Sequence, residues 1–187
     1  DACGIGFYAN MDNIRSHDVI EKSLEMLCRL DHRGGIGADG MTGDGAGIMT
    51  EIPFKFFEQL HDLPLPNEGE YAVGLFFSKE RVIGSKHETV LSHYFEGEGL
   101  GVIGYRDVPV NKEAVAQHVA DTMPFIQQVF IDIRHAEDIN KQLYLARKQI
   151  EYYAEQEGIE LYFTSLSHKT IVYKGCLLYT SDAADDM

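Results

Sequence analysis

The chain has 187 residues and a formal net charge of −14. That length suits a single domain with a substantial core. The charge argues against nucleic acid or an anionic membrane as partner, because their phosphates would be repelled. No run approaches the roughly 18 apolar residues of a membrane span. The three cysteines, Cys3, Cys28 and Cys176, are odd in number and lack metal spacing. They point to a reducing compartment without a disulfide framework. The eight histidines form no HxH or HxxxH pair, so no metal site is assigned.

In chain order, residues 3–9 read as a glycine-punctuated buried strand. Ser16 can cap a helix over about 17–31, with Asp18 in its first turn and Ile20, Leu24, Leu27 and Cys28 on one face. Gly34 to Gly47 contains seven glycines and reads as loop, and Ala46 to Ile52 as a strand. Pro53 opens a short helix carrying Phe54, Phe56, Phe57 and Leu60. After a turn-rich connection, Glu70 to Ser78 reads as a strand, 85–96 as a helix and Leu100 to Tyr105 as a strand. Lys112 to Asp121 follows as a short helix, and Phe125 to Ile133 as a strand. The longest helix spans Glu137 to Gln156, buries Ile139, Leu143, Ala146 and Ile150, and stops at Gly158. Strands at Leu161 to Ser165 and Thr170 to Tyr173 flank a turn near Ser167-His168. The elements are interspersed without strict βαβ order, so an α+β layered fold is expected rather than a doubly wound sheet.

The last twelve residues, 176–187, break with the rest and look like the in-frame translation of a sequencing adapter. The domain is therefore expected over 3–175, and such a tail is left out of fold reasoning.

Cys3 carries the strongest chemistry. A cysteine at an N-terminus unites a nucleophilic thiol with an α-amine that can take its proton. Their reference pKa values, about 8.5 and about 7.7–8.0, make that transfer nearly balanced at neutral pH. Within an amide the nitrogen has no such basicity, so Asp1 and Ala2 must first be removed. Gly4 beside the cysteine lets another backbone or a substrate approach closely. A lone cysteine in a strand is otherwise a small core hydrophobe. Arg33, thirty positions later, leaves a tight turn before Gly34-Gly35. It can neutralise a helix C-terminus or favour thiolate at a neighbouring cysteine. Thr42-Gly43-Asp44-Gly45-Ala46-Gly47 lacks a P-loop lysine and does not match GxGxxG, so it reads as a tight loop with Asp44 bonding local amides. Cys28 reads as core, His32 as a turn residue, and the other histidines as surface or packing residues.

Together, Cys3-Gly4-Ile5-Gly6-Phe7, the helix, and the run Leu30 to Ile48 resemble the class II glutamine amidotransferases, which are N-terminal-nucleophile enzymes. Within that class the chain is similar to the glutaminase domains of glutamate synthase large subunits. The similarity extends through Pro53-Phe54-Lys55-Phe56-Phe57, Gln128-Val129-Phe130-Ile131, Leu143 to Lys148, and Ser165 to Gly175.

The resemblance implies a four-layer αββα fold in which Cys3 attacks the side-chain amide of L-glutamine and Arg33 sits beside the nucleophile. It implies no cofactor in this domain. For the longer chain it implies FMN, an iron–sulfur cluster and NAD(P)H or ferredoxin, with ammonia channelled to 2-oxoglutarate and possible pairing with a small reductase subunit. It also implies a cytoplasmic location, or a plastid one in a plant or alga. The family's HQRF-type segment for the substrate carboxylate and HNGE-type segment for the oxyanion hole belong beyond Gly175. Residues 1–187 alone are therefore expected to be inactive, since loss of one oxyanion donor costs roughly 10²–10³ in rate. The alternatives are a non-catalytic scaffold or regulatory domain of the same class, another N-terminal-nucleophile hydrolase, and a plain binding domain.

Overall fold

The computed structural model describes residues 4–30, 45–114 and 117–175. Its elements are α1 (His17–Arg29), β1 (Ala46–Glu51), α2 (Phe54–Phe57), β2 (Tyr71–Ser78), α3 (Lys86–Gly97) and β3 (Gly101–Asp107). These are followed by α4 (Gln117–Thr122), β4 (Phe125–Asp132), α5 (Ile139–Gln156), β5 (Leu161–Ser167) and β6 (Thr170–Gly175). The chain divides into two compact units. One holds Asp1–Ile48, Val110–Thr122 and Tyr173–Met187; the other holds Met49–Pro109 and Met123–Val172.

The second unit is built on a four-stranded sheet of order β3-β4-β2-β5. Each neighbouring pair in it is antiparallel, which gives the expected α+β class and not a doubly wound sheet. The cross-strand pairs Ala72↔Ile131 and Gly74↔Val129, with Phe76 opposite Phe163, set one face of this sheet. That face packs with Leu91 and Phe95 of α3 and Leu143, Ala146 and Ile150 of α5 into one core cluster. Phe76 and Phe163 meet there at 5.4 Å between ring centroids.

On the other face, Tyr71 and Phe130 receive α2. Phe54 stands edge-on to Tyr71 at 5.2 Å, and Phe57 edge-on to Phe130 at 5.1 Å. Both faces of β2 are thus covered, and seven of its eight residues are buried. The alternation expected of a half-exposed strand is lost for that reason.

The helices end where local chemistry directs. Asp138 caps α5 by accepting the Lys141 N–H at 3.1 Å, and Ser85 caps α3 by accepting the His87 N–H at 3.2 Å. Beyond α5, Gly158 adopts a left-handed φ of 67°. Its N–H reaches Glu155 O and that of Ile159 reaches Ala154 O, a Schellman closure satisfying two carbonyls that the helix leaves open.

β6 does not join the four-stranded sheet; it pairs with β1 in a separate two-stranded one. At the exit from β5, the Ile52 N–H bonds Lys169 O at 3.0 Å, and the Ile52 and Ile171 side chains are buried.

Four expectations change. Ser16 stands at the N-cap of α1, but its side chain makes no capping hydrogen bond. Residues 4–9 form no strand and are exposed, with Ile5 at 94% and Phe7 at 90%. Gly4 and Gly6 offer no side chain to bury, and among the described residues no neighbouring strand pairs with this run. Cys28 is exposed rather than core. The half-buried stripe of α1 runs through Val19, Ile20, Ser23, Leu24, Met26 and Leu27. Cys28 sits roughly 120° from its middle at about 100° per residue. The helix expected over 112–121 appears as a 3₁₀ turn at Lys112–Ala114 and the separate α4. Asn111 Oδ1 accepts the Glu113 N–H at 3.0 Å, an Asx-type closure that favours a turn at that start.

Candidate functional site

Cys3, Arg33, His32 and Thr42 to Asp44 lie outside the described residues, as do 176–187. What is described is the segment that follows Cys3, the helix that precedes Arg33 in the chain, and the end of the glycine run.

The N-terminal segment runs beside α1. A Cβ on Gly6 would come within 2.5 Å of Met26 Sδ, so the segment passes closely over that side chain. Two residues on, the Lys22 ammonium lies 5.5 Å from the centre of the Tyr8 ring. Residues 6 and 8 therefore match residues 26 and 22, with the segment antiparallel to the helix. Two extended residues advance about 6.6 Å and four helical residues about 6 Å, so the two repeats stay in step.

The glycine run ends in β1. A Cβ on Gly47 would lie 2.7 Å from Tyr173 O, so the backbones of β1 and β6 approach there as only glycine allows. β6 is itself tied to β5 by side chains. Ser165 Oγ accepts the Val172 N–H at 3.0 Å, and Thr164 Oγ1 lies 2.9 Å from Val172 O and 3.1 Å from Leu75 O. Thr164 is the extra residue of a β-bulge: Leu75 faces Ser165, while Phe76 faces Phe163.

Several polar groups are buried in the second unit. Gln127 and Gln128 of β4 are wholly buried. Gln128 Oε1 accepts from Arg106 Nη1 at 2.9 Å, and the Arg106 guanidinium lies 5.6 Å from the Phe56 ring centre. Among the described residues, Gln128 Nε2, Tyr71 OH and His168 Nδ1 are buried without a hydrogen-bond partner. Burial pushes the Tyr71 hydroxyl up to about 12, helped by Glu58 and Glu68. Burial also lowers the His168 pKa, with Lys169 adding to the effect. The Arg81 guanidinium holds Asp107 below the usual carboxylate range, and Arg134 does the same to Asp132.

Among the described residues, no group of three or more His, Cys, Asp or Glu is placed to hold a metal. The one described cysteine, Cys28, cannot by itself ligate an iron–sulfur cluster. No helix among the described residues is long and apolar enough to cross a membrane. A cavity of about 230 Å³ opens beside Lys86, His87 and Glu157, but no residue singled out for chemistry lines it.

The Thr164-Ser165 and Gln127-Gln128 pairs carry one signal in the sequence: two adjacent polar residues flanked by apolar ones within a strand.

A family model described as class-II glutamine amidotransferases matches residues 3–183. The chain is 43% identical over 183 residues to the glutamate synthase (NADPH) large chain of Bacillus subtilis (strain 168), covering 95% of this chain and 12% of that protein. It is 44% identical over 185 residues to ferredoxin-dependent glutamate synthase 1, chloroplastic/mitochondrial, of Arabidopsis thaliana, covering 94% and 11% respectively. Glutamate synthase (NADH) of Schizosaccharomyces pombe is 34% identical over 186 residues, at 95% and 9% coverage. The chain thus spans about a tenth of the length of these relatives.

Proposed function

Because this chain belongs to the class II glutamine amidotransferases, we propose that it is the glutamine-hydrolysing portion of a glutamate synthase large chain. The observation that carries this reading is the family match starting on Cys3 itself, within a chain 43% identical to such a protein.

In this reading Asp1 and Ala2 are removed and the freed α-amine of Cys3 takes the thiol proton. The thiolate adds to the side-chain carbonyl carbon of glutamine. The tetrahedral adduct collapses with loss of ammonia, the amine returning its proton to the leaving nitrogen, and leaves a γ-glutamyl thioester. Water then adds to the thioester, and the C–S bond breaks to give glutamate and free thiol. Arg33 beside the thiol favours its ionised form.

The ammonia passes on to a 2-oxoglutarate-aminating region elsewhere in the longer chain, where FMN and an iron–sulfur cluster supply the redox chemistry. In this reading the electron donor acts at those other regions, as does any small reductase partner; the relatives' own names carry NADPH, ferredoxin and NADH. The location is cytoplasmic, or plastid in a photosynthetic eukaryote. The test is glutamate release from L-glutamine by the full-length polypeptide. Release that is lost in Cys3→Ala supports the reading, and release unchanged in Cys3→Ala overturns it.

A further inference from the structure

At one corner of the second unit β2 ends, α3 starts, α5 stops and β5 begins. There the Lys79 N–H bonds Glu160 O at 3.0 Å, and Lys79 Nζ donates to Glu160 Oε1, also at 3.0 Å. The cavity of about 230 Å³ opens at this corner, between Lys86-His87 on α3 and Glu157 at the end of α5. It has room for about seven waters at about 30 Å³ each, which is small beside the roughly 300–1,000 Å³ of a drug-sized site.

His87 is the buried polar group of this cavity, at 8% exposure. Tyr153 OH lies 3.3 Å from its Nδ1 and fixes the ring, and Tyr153 packs in turn on Tyr94 at 5.8 Å between centroids. With the hydroxyl as donor, Nε2 carries the ring proton. Among the described residues Nε2 has no hydrogen-bond partner, yet it is not sealed from solvent as His168 Nδ1 is. Its open edge belongs to the cavity wall. Around the mouth, Lys79 and Glu160 neutralise each other. Lys86, Glu80 and Glu157 line it without an ion-pair partner among the described residues. A bare anion would meet two free carboxylates, and a bare cation would meet the free ammonium. A small ligand carrying both charges satisfies all three.

We propose that this cavity binds a free α-amino acid as its zwitterion, with the carboxylate on Lys86 Nζ and His87 Nε2 and the ammonium between Glu80 and Glu157. Both contacts are charge-assisted hydrogen bonds, the stronger kind. The site goes beyond the hydrolase reading and does not rest on it, since every residue named belongs to the second unit.

The experiment follows deuterium exchange at the His87 imidazole C2–H in the full-length polypeptide, read by mass analysis of its peptide. The probe is L-alanine, which has no side-chain amide to hydrolyse. The expected result is a saturable slowing of His87 exchange by at least about threefold. The exposed His61 should not change. Acetate and methylammonium each carry one half of the zwitterion and should slow His87 less than about half as much at the same concentration. Lys86→Ala and Glu157→Gln should each abolish the slowing. Both side chains are exposed, so neither change threatens the fold. Equal slowing by acetate would show an adventitious ion only and overturn the inference. So would no response to L-alanine, an equal change at His61, or slowing that persists in both variants. Glutamate release plays no part in this readout, so failure of the hydrolase reading is seen separately.

Discussion

Gln127 Oε1 accepts the Val82 backbone N–H at 2.8 Å, while Gln127 Nε2 donates to Asp107 Oδ1 at 2.8 Å. One buried amide thereby ties the loop after β2 to the end of β3, and Arg81 closes the circuit by bonding Asp107 Oδ2. Gln127→Leu keeps much of the volume but leaves the buried Val82 N–H without an acceptor. The expected loss is about 1–3 kcal/mol of stability, read from a urea unfolding curve. An unchanged midpoint would show that water reaches Val82.

Gly74 sits in the most enclosed strand. A Cβ there would lie 2.7 Å from Val129 Cγ1 and 2.9 Å from Leu166 Cδ1, both within the core. Gly74→Ala is expected to destabilise by about 1–3 kcal/mol through overpacking. Adding Val129→Ala should recover part of that loss, so the double variant should be more stable than the two single effects predict. Simple additivity would contradict the packing assigned here.

Burial pushes the Tyr105 hydroxyl up to about 12, against an ordinary value of about 10. Below pH about 10 both states hold this proton and nothing depends on it. Between about 10 and 12 the unfolded chain binds fewer protons than the folded one, so stability falls as pH rises. Tyr71, also raised to about 12 by burial, acts in the same sense. The unfolding midpoint should therefore drop across that window, and less steeply in Tyr105→Phe. At the acid end, Asp107 and Asp132 have depressed values. What they contribute is present above their unfolded pKa and is lost as pH falls through the folded one.

Arg33 is proposed to favour the thiolate of Cys3. Arg33→Met should move the pH dependence of Cys3 alkylation upward, toward that of an ordinary thiol, and Arg33→Lys should restore part of the shift. An alkylation profile identical to wild type would remove Arg33 from the vicinity of the nucleophile.

Most of the fold was legible because its signals are local. The spacing of Leu143, Ala146 and Ile150 and the stop at Gly158 mark α5 in the sequence, and the structure uses both. The strands expected over 70–78, 125–133 and 161–165 were likewise visible as β-branched and aromatic runs, and the structure sets them at Tyr71–Ser78, Phe125–Asp132 and Leu161–Ser167. Two of the failures depended on partners far along the chain. Whether residues 4–9 are a strand depends on a neighbour that their own residues cannot specify. The width of the buried stripe on α1, and hence the exposure of Cys28, depends on what covers that helix. The ordered motifs around Cys3 and Arg33 made the family legible, while the two residues themselves lie outside the described ones. The hydroxyl link through Thr164 and Ser165 was not legible, because a bulge becomes visible only once two strands are in register.

The most direct measurement is mass analysis of the N-terminal peptide after the full-length polypeptide meets a glutamine-analogue electrophile. The account predicts a peptide that begins at Cys3, without Asp1 and Ala2, and carries one equivalent of the analogue on the cysteine sulfur. It also predicts that excess L-glutamine slows the labelling. An unlabelled Cys3, or an intact Asp1–Ala2 leader on a polypeptide that turns over glutamine, would contradict it.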